Sequence, residues 1–178
     1  DYPSSAVKDR AHTSAVEDLA QIIRAARPDV IYTHNLADKH PTHVGVAVKV
    51  IAAIRRLPEA ERPQHVYGCE VWRDLDWMVD NDKVLFDASG QEGLQMALVG
   101  VFDSQITGGK RYDLATMGRR RANATYFESH ATDTTTGLIF AMDLTPLVQD
   151  PSKDLVAYVQ EYITRFAEDV RERISGVS

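Results

Sequence analysis

A short apolar strand hands over to a helix through a turn crowded with reactive side chains, and no other feature constrains this chain as much. The strand reads Pro28-Asp29-Val30-Ile31-Tyr32-Thr33-His34, a β-branched run bounded by a proline. The helix runs from His43 to Leu57, with Val46, Val50, Ile51 and Ile54 at helical spacing. Between them lies Asp38-Lys39-His40-Pro41-Thr42-His43. In open α/β folds ligands gather beyond the carboxyl ends of strands. His34, Asp38, His40 and His43 are therefore presented together, in the place and with the groups that metal and proton chemistry use.

The rest of the chain repeats the alternation. Ser14-Ala15-Val16-Glu17 has the capping-box pattern and opens a helix through Leu19, Ile22, Ile23 and Ala26, which Pro28 ends. His65–Trp72 and Lys83–Phe86 read as strands. Ser89-Gly90-Gln91-Glu92 repeats the capping pattern ahead of Leu94, Leu98 and Val101. Tyr112–Glu128 reads as helix and Leu138–Met142 as a last strand. Leu155, Val159, Tyr162, Phe166 and Val170 line one face of a long terminal helix. Alternating strands and helices predict an α/β fold, Rossmann-like, with a largely parallel sheet flanked by helices. At 178 residues, 44% of them hydrophobic, the chain reads as a single domain over 1–178.

Charge and cysteine usage narrow the function classes. A net charge of −6 gives no footprint for nucleic acid. The lone cysteine, Cys69, rules out an internal disulfide and a cysteine-cluster metal site. It suits a reducing compartment, so the expectation is cytoplasmic. No apolar run approaches the ~20 residues of a membrane span, and no glycine-rich phosphate loop follows a strand.

Within the turn, Pro41 fits the first helical position, which puts His40 at the cap and His43 in the first turn. The positive end of the helix there attracts an anion, such as a carboxylate or a developing oxyanion. A hydrolytic zinc site takes three protein ligands and one open position. The turn supplies all three only by bending tightly, so one or two are expected from elsewhere. His34 reads as a supporting or purely structural histidine. Trp72 and Arg73, just past a strand, are candidate lining for a sugar pocket; the competing reading is a partly buried tryptophan beside a solvated charge pair. Arg119-Arg120-Arg121 reads as a solvated helix face.

The run Ala26 to His34, followed by Asp38-Lys39-His40-Pro41-Thr42-His43, resembles the second motif of the PIG-L/LmbE-like deacetylases. These zinc-dependent enzymes remove acetyl groups from N-acetylglucosamine-type substrates. Asp1-Tyr2-Pro3 resembles the loop before the equivalent helix, and Val66–Trp72 and Ser104-Gln105 resemble the next strand and a Ser-Gln element. Phe127-Glu128-Ser129-His130 is similar to a late segment carrying a glutamate. The resemblance implies Zn2+ as cofactor, with His43 as a zinc ligand. It implies His40 as the catalytic helper that acts as general acid or steadies the tetrahedral oxyanion, and an amino-sugar or glycoconjugate as substrate.

Two departures qualify it. The family's Ala-His-Pro-Asp-Asp motif, which carries the other zinc ligands and the general base, is absent from this sequence. The expectation is thus a domain missing its N-terminal strands, inactive alone, with an open sheet edge that self-associates or takes up the missing segment. Where the family has aspartate next to the catalytic histidine, this chain has Thr42, and Asp38 is expected to supply the carboxylate to His40 instead. The alternative is a non-catalytic carbohydrate-binding or interaction protein on the same fold, without a complete metal site.

Overall fold

Pairing of the two apolar runs, Val30–His34 (β1) and His65–Cys69 (β2), organises the first half of the chain. They run parallel, with Val30 opposite His65 and His34 opposite Cys69. The computed structural model describes residues 1–177, with only the backbone at Gln105; the side chain of the Ser104-Gln105 pair's second member lies outside the described residues. Before β1, helix α1 spans Ser4–Lys8 and α2 spans Ser14–Ala26. Arg27 takes the left-handed conformation (φ 44°) and closes α2 by donating its N–H to Ile23 O at 2.8 Å. Pro28 then prevents further helix.

Helix α3, Pro41–Arg55, lies against α1, α2 and β1. Its Ala47, Val50, Ile51, Ala53 and Ile54 are buried, as the spacing predicts, while Val46 is only half-buried. Lys83–Asp87 forms β3 and Leu138–Asp143 forms β4, giving a four-stranded sheet of order β1-β2-β4-β3. β4 runs antiparallel to β2, with Tyr67 opposite Asp143 and Cys69 opposite Ala141. The sheet is therefore mixed rather than largely parallel. A five- or six-residue apolar run pairs in either direction, and alternation in the sequence does not encode which.

Two compact units result: residues 1–84 with 141–178, and residues 85–140. The first holds a core of Ile54, Val66, Met142, Leu147 and Val148 from α3, β2, β4 and helix α7, Thr145–Gln149, completed by Leu57 just after α3 and Leu144 between β4 and α7. Helix α8, Leu155–Ser175, starts on Asp154, whose Oδ1 accepts the Ala157 N–H at 2.8 Å. It buries Tyr158 and Tyr162, whereas Phe166 and Val170 remain exposed, so only its first half meets the expected core.

The second unit carries α4 (Glu92–Gly100), α5 (Ser104–Thr107) and α6 (Tyr112–Tyr126). Arg121 pairs with Glu92, and Asn123 Nδ2 donates to Leu138 O. Neither expected capping box forms. Thr13 rather than Ser14 precedes α2, and Ser14 Oγ meets His12 Nδ1. Ser89 Oγ accepts the Thr136 N–H, and α4 starts only at Glu92. At α2 the competing partner is local, two residues back, whereas at Ser89 it is tertiary.

Candidate functional site

The carboxyl end of β1 delivers His34 and Asn35 into the first unit beside the start of α3. Asn35 is fully buried; its own N–H and its Nδ2 both donate to Cys69 O, at 3.1 and 3.0 Å. The approach of the strands is close enough that a Cβ on Gly68 would lie 2.9 Å from Asn35 Cα. This contact fixes where the chain leaves the strand. The turn then carries Asp38 inward and returns at His40, which caps α3 in extended backbone.

Asp38 organises the turn. Its side chain is out of solvent. Oδ1 accepts the His40 backbone N–H at 2.7 Å, and Oδ2 accepts those of Trp72 and Arg73 at 3.0 and 3.3 Å. Burial alone would raise this carboxyl. The three backbone donors outweigh it and hold the group below the ordinary aspartate value. Oδ1 also stands 3.4 Å from His43 Nδ1.

The expected partnership of Asp38 with the His40 ring is therefore corrected: Asp38 touches His40 through backbone and faces the ring of His43. The His40 ring is turned the other way, and its Nδ1 accepts the Thr42 N–H at 3.3 Å as the helix cap. Thr42 Oγ1 meets Ser4 Oγ at 2.7 Å and so ties α3 to α1.

Three imidazoles form a stack. His34 and His43 lie 4.1 Å apart with planes 5° from parallel, and His40 lies 4.6 Å from His43. Trp72 continues the row, 5.5 Å from His40, with the Lys39 ammonium 5.9 Å from the indole centre. Burial, and next the neighbouring His43, hold His34 below its ordinary pKa, which favours the neutral ring. Arg73 enters this site by its backbone N–H; its side chain is exposed. Glu128 and His130 are exposed residues of the second unit, as is Ser104.

One signal the sequence did not give is the cluster of unsatisfied atoms. Thr33 Oγ1, His34 Nδ1 and Asn35 Oδ1 are buried without a hydrogen-bond partner among the described residues, and His43 Nδ1 has only the 3.4 Å approach of Asp38 Oδ1. Only one further such atom, Trp77 Nε1, occurs elsewhere among them. Buried polar atoms are normally satisfied, so their concentration at one strand end marks a place where a ligand, water or metal completes the bonding. No group of three His, Cys, Asp or Glu among the described residues is arranged to hold a metal ion. No family model matches the chain, and no curated protein matches it.

Proposed function

We propose that the His turn is the histidine half of a hydrolytic metal site. The chain would then be part of a PIG-L/LmbE-like, zinc-dependent enzyme that removes an N-acetyl group from an amino-sugar or glycoconjugate. The supporting observation is the pairing of Asp38 with His43 inside a group of unsatisfied buried polar atoms. A ligating histidine characteristically directs its second nitrogen at a carboxylate. With Nδ1 facing Asp38, the nitrogen His43 has left for a ligand is Nε2.

The fit to zinc is partial. A hydrolytic site takes three protein ligands, and the described residues offer His43 with a carboxylate behind it but no set of three. When bound, the metal would supply Lewis acidity and a hydroxide near neutral pH. What this chain itself contributes is a proton at a defined atom. His40 Nδ1 accepts the Thr42 N–H, so a neutral ring carries its proton on Nε2. That N–H is a donor for the carbonyl oxygen of the acetyl group, and it gains strength as the oxygen becomes an oxyanion. Asp38 is a positioning residue in this reading. Trp72, beside His40, forms a wall of the substrate site.

The test is zinc content and deacetylation of N-acetylglucosamine conjugates by the intact protein, against His43→Ala. Bound zinc and turnover that vanish together in the variant support the reading. Intact protein that holds no zinc in the presence of the metal overturns it. That result would favour the second reading, a non-catalytic carbohydrate-binding protein, for which the shortfall in ligands speaks.

A further inference from the structure

A cavity in the first unit, of about 370 Å³, lies between the loop Asp76–Lys83 and the later turns of α8. None of the stacked histidines lines it. Its volume falls in the range of small-molecule sites. Trp77 and Phe166 provide the apolar part, with ring centres 6.3 Å apart at 70°. The Trp77 indole Nε1 is out of water and has no acceptor among the described residues.

Around these rings stand two cations, each with carboxylate partners. Lys83, with a side chain only 3% exposed, meets Asp80 at 2.7 Å and Asp76 at 3.9 Å. Arg173 meets Asp169 at 2.8 Å. A further pair, Arg165 with Asp82 at 2.6 Å, fixes the loop to the helix.

The chemistry of this lining selects its ligand. Three carboxylates against two cations leave no excess positive charge for a phosphate or an acidic sugar. Asp80 and Asp169 each have a cation within 2.8 Å, and the one uncompensated charge falls to Asp76, which shares Lys83 at 3.9 Å and is 74% exposed, so solvent screens it and a charged amine gains little from it. An aromatic face flanked by paired donors and acceptors matches a neutral ring bearing hydroxyls. Its C–H face packs on the indole. Its hydroxyls accept from Arg173 and donate to Asp80 or Asp169. We infer that this cavity is a binding site for a single neutral sugar ring, separate from the His turn.

The experiment reads binding rather than turnover, so it fails or succeeds independently of the deacetylase reading. The chain has two tryptophans, and in a Trp72→Phe background only Trp77 remains to report. The probes are methyl β-D-glucopyranoside and N-acetylglucosamine, with sodium glucuronate as the acidic counterpart. A neutral sugar is expected to change Trp77 fluorescence saturably with a Kd on the order of 1–10 mM, and glucuronate is not. Asp169→Asn and Arg173→Ala, whose parent side chains are 33% and 75% exposed, should fold and bind about tenfold more weakly. A response that stays linear to about 100 mM, that is equal for glucuronate, or that both variants leave unchanged overturns the site.

Discussion

Asp38 holds His43 from behind while its other oxygen fastens a separate loop: Oδ1 is 3.4 Å from His43 Nδ1, and Oδ2 takes the N–H groups of Trp72 and Arg73. One buried carboxylate thus joins the start of α3 to the segment after β2. The imidazole row and the Trp72 ring beside it are joined through this carboxylate.

Asp38→Asn should therefore destabilise the fold as well as loosen the site. An amide offers one acceptor oxygen where three N–H groups need two, and leaves a buried donor unpaired, at a cost of about 1–3 kcal/mol. The pH dependence has a definite sign. The folded carboxyl lies below its unfolded value, so its contribution is full above the unfolded pKa of about 3.9 and is lost as pH falls through the folded value. Urea unfolding at neutral pH should show the gap between parent and variant, and the gap should close in acid. A gap that persists unchanged at the acid end would contradict the assignment.

The His turn was legible because its signals are local. The apolar run ending at His34, Pro41 at the first helical position and the spacing of Val50, Ile51 and Ile54 each read directly from neighbouring residues. What escaped was set by partners distant in sequence. Asp38 reads as the carboxylate of His40 because it lies two residues before it, whereas the fold brings the N–H groups of Trp72 and Arg73 to one oxygen and leaves the other to the His40 backbone and the His43 ring. The direction of β4 and the unformed capping box at Ser89, whose hydroxyl is taken by Thr136, failed for the same reason. Asn35 gave no signal at all, since a buried asparagine and a turn asparagine look alike in a sequence.

His40 and His43 should separate in their effects. His43→Ala is expected to remove bound zinc and activity together from the intact protein. His40→Ala should retain zinc and lose about 10²–10⁴-fold in kcat, the range for a positioned proton donor or oxyanion partner. Zinc analysis and steady-state kinetics on both variants check this. Equal zinc loss in the two would make His40 a ligand rather than a donor.

Cys69 should be a poor nucleophile despite its place at the end of β2. Burial, with Glu70 nearby, pushes its thiol up to about 11. At pH 8 it is thiolate in only about one molecule per thousand, against about a quarter for a free cysteine of pKa ~8.5. Iodoacetamide should label the native protein about a hundredfold more slowly than the urea-unfolded chain. The native rate should rise with pH until about 10 to 11. Native labelling as fast as unfolded labelling would place the thiol in solvent.

Gly68→Ala tests how the strands set the site. Gly68 pairs with Thr33 across the parallel ladder, and a Cβ there would stand 2.9 Å from Asn35 Cα, 2.9 Å from Leu144 Cδ1 and 3.2 Å from His34 O. Leu144 can rotate away, but the backbone of His34 and Asn35 can yield only by moving the end of β1. The substitution should cost about 1–3 kcal/mol and displace the first imidazole of the stack. Urea unfolding measures the first effect. The histidine ring resonances, compared between parent and variant by NMR, measure the second. Loss of stability with unshifted His34 and His43 resonances would mean that Leu144 alone gives way and that β1 does not set the position of the stack.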